Sequence, residues 1–404
     1  MGILNSYRVN DLLHFLKMHR RHQRRNKLWF RSFKKALESG TSIMPFPALI
    51  QILPTERCNL SCKMCDQWGE RGYYHSHEDA VGDAPIERLI SFLKSIESSD
   101  FLLNIHGGEP FFYEHMDELL DYLIETGRDT LFTTNATLLD RYLPKLGRLK
   151  NAIYFISIEG DKDTNDRIRG SGTFQKIKDN LAKLKESCLV QSGILPYLSM
   201  NLCVSEFIMP SDIVQAYKIA KELGFFNINY GLRWFVTDEA GHEYERQLKK
   251  EFQIKASDCW KAWRCDFSSF DANGVAKEIS RVRNNLIFRL RLPYISITPR
   301  YAKNAQQIEN HFLEHRYSYG REKCLFPFYF ARVHSDGSVI FCQGYRDVVI
   351  GNVFCDDFTR VFNSEIAQEF REFCRRDRFS ICSKCCGLYI TYVVDKFMRH
   401  ELIH

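Results

Sequence analysis

Between residues 48 and 230 short apolar runs alternate with longer amphipathic stretches. Residues 48–53 (ALIQIL) make an apolar run of strand length that stops at Pro54. The rhythm recurs at 101–106 before a helix from about residue 114, at 130–134 before 138–146, at 152–157 before 174–186, and at 196–204 before 211–224; residues 226–230 close the series. About six strand–helix units predict an α/β fold with parallel strands, arranged as a sheet or as a whole or partial barrel. In such folds chemistry gathers at the carboxyl ends of the strands. Residues 231–322 lose the rhythm and read as a connecting or substrate-facing segment. From Cys324 an apolar strand, the turn Ser335-Asp336-Gly337, a second strand over 338–342 and a helix near 366–374 predict a small hairpin and helix domain. The chain thus divides into 1–45, 46–230, 231–322 and 323–404.

Charge changes the reading of the first segment. The net charge is +6, and residues 17–35 hold nine Lys or Arg and no acid, so the remainder is slightly acidic. Two readings follow for a helix carrying Leu12, Leu13, Phe15, Leu16, Leu28, Trp29, Phe30 and Phe33: peripheral contact with an anionic membrane or a nucleic-acid backbone, or a solvated helix packed on the main domain, the blander and preferred reading. No 18-residue apolar run can cross a bilayer, and the basic residues follow the apolar ones, the wrong order for a secretory signal. A cytoplasmic protein is expected, peripheral at the membrane if the helix docks there. The opening MGILNS fits a loose myristoylation pattern of a kind that arises often by chance.

Fourteen cysteines without a secretory signal point to metal ligation rather than disulfides. Cys58, Cys62 and Cys65 follow a strand end; three thiolates can hold three irons of a cubane and leave the fourth iron open. Zinc needs a fourth ligand, which His75 or His77 can supply. Cys324 and Cys342 on the hairpin, with Cys382 and Cys385, make a four-ligand set for zinc or a fully ligated cluster. Cys386 either replaces Cys385, stays free as a hydrogen-atom donor, or is incidental. Cys188, Cys203, Cys259, Cys265, Cys355 and Cys374 read as structural.

Cys-x3-Cys-x2-Cys after a first strand resembles the signature of the radical S-adenosylmethionine (SAM) superfamily, and other motifs extend the resemblance. Gly107-Gly108-Glu109-Pro110 is similar to the family loop that receives the SAM amino group. Ser157-Ile158-Glu159-Gly160 with Arg169 resembles its fourth-strand motif, which implies Ser157 and Arg169 on the SAM carboxylate and leaves Glu159, where the family usually has Asp, without a role. The resemblance also implies that Met64 lies against adenine, where the family often has an aromatic, and that Thr134, Asn135 and Asn201, at strand ends, meet ribose or serve turns. The C-terminal cysteines resemble the SPASM/twitch region, which implies one auxiliary [4Fe–4S] cluster on Cys324, Cys342, Cys382 and Cys385.

The resemblance implies a partial (βα)6 TIM-like barrel with a C-terminal auxiliary domain, and an enzyme that cleaves SAM reductively at a [4Fe–4S] cluster to a 5′-deoxyadenosyl radical. It also implies a flavodoxin- or ferredoxin-like electron donor. One auxiliary cluster favours oxidation or epimerisation of a small molecule such as a sugar or aminocyclitol. The alternative is a peptide- or protein-modifying maturase, weakened by the lack of a recognisable leader-binding domain at the N-terminus. A reading of another class, a non-catalytic metal-binding scaffold on nucleic acid or membrane, does not require the Gly-Gly-Glu-Pro or Ser/Arg motifs.

Overall fold

A computed structural model describes residues 7–78, 81–285 and 292–389. The myristoylation pattern falls outside them. Strands β1 (Leu49–Ile52), β2 (Leu102–Ile105), β3 (Thr130–Thr134), β4 (Ala152–Ser157), β5 (Tyr197–Val204) and β6 (Asn227–Leu232) pair in chain order and in parallel. Their apolar side chains are buried on one face, as a sheet covered by helices requires, and mostly half-buried on the other. The helix between β1 and β2, Ile86–Ser95, buries Leu89, Phe92 and Leu93 and completes a unit that the sequence reading left without a helix.

The parallel sheet runs further than the six units expected. A seventh strand, β7 (Tyr294–Thr298), joins β6 in parallel, after the helices Asp238–Phe252 and Ala272–Asn284. The hairpin forms as expected, but its first strand, β8 (Phe330–Val333), also returns to the barrel and pairs in parallel with β1; β9 (Ser338–Ile340) and β10 (Val349–Asn352) extend it antiparallel. The full order is β10-β9-β8-β1-β2-β3-β4-β5-β6-β7, a curved sheet with β7 and β10 at its edges: a partial barrel with a C-terminal extension. Asp336 accepts from Ser338 N at 2.9 Å, and Gly337 sits at φ +83°, which fixes the turn chemistry.

The basic segment is one helix, α1 (Val9–Glu38), of 30 residues. Its inward face buries Phe15, Met18, Trp29, Phe30 and Phe33 at helical spacing. Its polar contacts fall on residues just ahead of strands. Leu195 N donates to Asp11 at 2.9 Å ahead of β5; Arg21 pairs with Asp129 at 2.7 Å ahead of β3 and donates to Asn151 at 2.8 Å ahead of β4. Arg25 pairs with Asp100 at 2.9 Å ahead of β2, and Trp29 Nε1 donates to the Phe328 carbonyl at 2.7 Å ahead of β8. The helix therefore crosses the amino ends of the strands and closes the bottom of the barrel.

Phe33 is fully buried, with its ring 5.1 Å from Trp29 and 5.3 Å from Phe328. Phe33→Ala is expected to cost about 3–5 kcal/mol of stability, whereas Leu13→Ala, on the exposed side, is expected to stay within about 0.5 kcal/mol of wild type. Urea denaturation of the two variants checks the orientation of the helix.

Candidate active site

At the carboxyl ends of the strands lies a cavity of about 430 Å³. Cys58, Cys62 and Cys65 line it together with Met64. The loop that carries them is set from below. Leu60 N points at Cys58 Sγ (3.4 Å), and Gln67 N and Trp68 N point at Cys65 Sγ (3.4 and 3.3 Å). Arg169 Nη1 lies 3.7 Å from Cys62 Sγ. Such donors favour thiolate, but burial works the other way: it raises all three thiols, Cys65 to about 12. Left alone these thiols stay protonated, and holding them as thiolates would take a metal. Gly69, which the sequence reading passed over, packs against the Cys65 and Cys62 carbonyls, where a Cβ would stand 2.5 and 2.9 Å away.

Gly107, Gly108, Thr134, Asn135, Ser157, Arg169 and Asn201 line the same cavity, as the motifs imply. Glu109 and Pro110 do not. Pro110 starts a short turn, Pro110–Phe112, and the Glu109 carboxylate is engaged by protein: Thr134 Oγ1 donates to it at 2.6 Å, Asn135 N at 2.7 Å and Phe111 N at 3.2 Å. Burial pushes its pKa up to about 7 against these bonds. The glycines also act differently from expectation. Their missing side chains let them approach the chain itself, since a Cβ on Gly107 would meet the Thr55 carbonyl oxygen at 2.3 Å and one on Gly108 the Arg57 carbonyl oxygen at 2.3 Å.

Arg169 donates from Nε (3.0 Å) and Nη2 to Glu159. Glu159 in turn accepts from Cys203 N at 2.9 Å, which gives this residue a role in holding the guanidinium. Ser157 has no hydrogen-bond partner for its hydroxyl among the described residues. Asn201 accepts from Asn229 Nδ2 at 2.7 Å, and Asn229 accepts from Thr298 Oγ1 at 2.9 Å, a polar ladder across β5, β6 and β7. The opposite wall comes from residues the sequence reading missed: Gln51, His106, Arg233, Trp234, Trp263 and Arg332. Trp234 and Trp263 stack with centroids 5.1 Å apart. No motif marked them, because they come from five distant stretches of chain.

A second, smaller cavity is lined by Cys324, Cys342, Cys382 and Cys385, walled by Phe326, Phe341, Phe370, Phe379 and Leu388. Cys374, read as structural, belongs to it: its thiol hydrogen-bonds Cys324, and that bond lowers the Cys324 pKa. Cys386 does not line it. Instead Cys386 lines the first cavity, and its Sγ donates to Gln343 Oε1 at 3.2 Å. Cys203 also lines the first cavity, Cys188 is buried, and Cys355 is exposed, against the expectation of a buried thiol. His75 and His77 bond backbone carbonyls of Gly69 and Tyr73 and line neither cavity.

The donor sets fit iron–sulfur clusters. Both are all-sulfur, with backbone N–H groups on the sulfurs and, at the second, an apolar shell. Among the described residues no three His, Cys, Asp or Glu side chains converge on one metal ion; on a cubane each thiolate has its own iron.

Comparison with known proteins agrees with this geometry. The radical SAM superfamily profile matches residues 52–201, and an iron–sulfur cluster-binding SPASM profile matches 324–386. The chain is 21% identical over 365 residues to the antilisterial bacteriocin subtilosin biosynthesis protein AlbA of Bacillus subtilis, covering 87% of this chain and 69% of AlbA. It is 33% identical over 135 residues to Fe-coproporphyrin III synthase of Methanosarcina barkeri, covering 33% of this chain and only 32% of that enzyme. The structure of Streptococcus suis SuiB bound to S-adenosylmethionine superposes with a TM-score of 0.61 at 17% identity, over 89% of this chain and 75% of SuiB. The cofactors are accordingly SAM, the [4Fe–4S] cluster that binds it and an auxiliary [4Fe–4S] cluster. The chain belongs to the radical SAM superfamily and carries a C-terminal SPASM iron–sulfur domain.

Proposed function

We propose that this enzyme is a peptide-modifying maturase in which Cys58, Cys62 and Cys65 hold the SAM cluster and Cys324, Cys342, Cys382 and Cys385 hold the auxiliary one. The observation that carries the two-centre reading is that Cys385 and Cys386, adjacent in the chain, line different cavities, with Gln343 in the wall of both. A substrate in the first cavity thus lies beside the auxiliary centre, to which a substrate radical can pass its electron. Peptide substrates are supported by the relatives. AlbA is named for biosynthesis of a bacteriocin, and SuiB has been crystallised bound to its precursor peptide SuiA. These favour the maturase over the sugar or aminocyclitol reading. A small-molecule substrate keeps one support, the partial match to Fe-coproporphyrin III synthase.

When bound, the cluster and SAM together supply a 5′-deoxyadenosyl radical that takes a hydrogen atom from substrate. The chain's own residues position and shield. Glu159 fixes Arg169 as a planar fork beside Cys62, suited to the SAM carboxylate as Lys would not be. Ser157 offers a hydroxyl to the same group. Met64 gives adenine a polarizable surface. Glu109 braces the loop that receives the SAM amino group by tying it to the end of β3. Arg233, Trp234, Trp263 and Thr298 give the 231–322 stretch a substrate-facing role. The electron enters from a flavodoxin- or ferredoxin-like donor.

Anaerobically reconstituted wild type is expected to hold about eight irons and to form 5′-deoxyadenosine with dithionite. Cys58→Ala/Cys62→Ala/Cys65→Ala is expected to keep about four and form none. Cys385→Ala is expected to lose about four irons and Cys386→Ala none, by iron and sulfide assay; the reverse would place Cys386 on the cluster. Glu159→Gln is expected to raise the KM for SAM about tenfold or more at unchanged iron content, since it weakens a buried charged pair. For the substrate class, deoxyadenosine formed with a deuterated extract of the native host is analysed for deuterium. Transfer abolished by protease treatment of the extract supports a peptide, and transfer that survives it supports a small molecule.

A further inference from the structure

The outward side of α1 is not an ordinary solvated face. Its first two turns expose Val9 (72%), Leu12 (38%), Leu13 (51%) and Leu16 (52%). Continuing at spacings of three and four along the same side come Arg20, Arg24, Lys27 and Arg31, all exposed and without an ion-pair partner among the described residues. Arg21 and Arg25, by contrast, turn inward to Asp129 and Asp100. One side thus carries an apolar end and a basic stripe with no acid between Lys17 and Lys35.

A second element adds to the apolar end. The helix Thr173–Ser192 ends on Leu189 (40% exposed) and Val190 (75%), and the carbonyl of the following Gly193 accepts from the Arg8 guanidinium at the start of α1. That bond brings the start of α1 and the end of this helix together, and between them the two ends expose leucine or valine at six positions. A phosphate backbone would use the stripe alone; burying the adjacent leucines needs an apolar phase.

We propose that this face docks the enzyme on an anionic lipid bilayer, with Leu12, Leu13 and Leu16 entering the interface and Arg20, Arg24, Lys27 and Arg31 on the headgroups. Since α1 closes the amino ends of the strands and the SAM cavity opens at their carboxyl ends, the docked enzyme presents its cavity away from the membrane. No helix among the described residues is long and apolar enough to span it, so the attachment is peripheral. The inference is independent of the substrate reading.

The test is co-sedimentation of the reconstituted full chain with phosphatidylcholine vesicles, with and without phosphatidylglycerol, at low and high salt. Binding is expected only with phosphatidylglycerol, weakened by salt. Arg20→Glu/Arg24→Glu/Lys27→Glu/Arg31→Glu is expected to lower affinity more than about a hundredfold, at about fivefold for each positive charge lost. Leu12→Ser/Leu13→Ser/Leu16→Ser is expected to lower it about threefold to tenfold per leucine. Circular dichroism and deoxyadenosine formation in solution are expected to match wild type. Wild type that ignores phosphatidylglycerol overturns the proposal without recourse to variants. So does binding to duplex DNA that the leucine variant retains and the charge variant loses, in the absence of vesicle binding.

Discussion

The active site depends on one close approach between two stretches of backbone. Gly107 and Gly108, leaving β2, lie on residues 55–57, which lead from β1 to the first cysteine; Gly108 N donates to the Thr55 carbonyl at 3.2 Å and Glu109 N to the Arg57 carbonyl at 2.9 Å. Any side chain on either glycine would collide with those carbonyls. From this contact the rest follows. Glu109 reaches Thr134 and Asn135 at the end of β3, and Asn135 Nδ2 donates to Asn59 inside the cysteine loop at 3.0 Å. Three strand ends and the cluster loop are thereby locked together by groups that are buried and hydrogen-bonded, the kind of network that specifies one arrangement.

The auxiliary centre is placed by the sheet rather than by a flexible docking of domains. β8 pairs with β1 along its whole length, Leu53 N donates to the Val333 carbonyl at 2.9 Å, and Arg332 Nε donates to Gln51 at 2.6 Å. The buried Glu56 carboxylate accepts from Ser335 N at 3.2 Å, joining the hairpin to the residue pair just ahead of Cys58. A strand register shifts only in whole residues. The separation of the two cysteine sets is therefore set by covalent spacing on either side of one ladder.

The chemistry was legible where it is local. The spacing of Cys58, Cys62 and Cys65, the two-strand turn at Asp336-Gly337, and the six regular strands are readable because spacing and period encode them within a few residues, whereas the helix Ile86–Ser95 of the first unit was not read. β7 was not: Tyr294–Thr298 is short, begins with an exposed Tyr294, and follows β6 at a distance far outside the rhythm of the earlier units. That β8 belongs to the barrel was hidden for a different reason, since an apolar strand carries no label for its partner. Glu109 and Glu159 show the limit for motifs. Glu109 matches a family pattern and Glu159 departs from one, yet one carboxylate braces backbone and the other grips Arg169, and only tertiary contacts distinguish such roles. Cys374 read as structural from a spacing that no ligand rule covers, although the fold sets it against Cys324.

The two cavities differ in a way that matches separate tasks. The first is mixed, with amides, hydroxyls and the guanidinium groups of Arg169, Arg233 and Arg332 set among apolar surface from Met64, Trp234 and Trp263, as binding a charged, many-functioned cofactor demands. The second is closed by phenylalanines and leucine around its cysteines. Such an apolar shell would keep water from a cluster held there and set its redox properties apart from those of the wetter site. Gln343, bonded by Cys386 on one side and lining the cysteine cavity on the other, is the thin partition between them. On the proposed reading, a substrate radical formed against that wall would have an electron acceptor directly behind it, so this partition is where hydrogen abstraction and electron transfer would be joined.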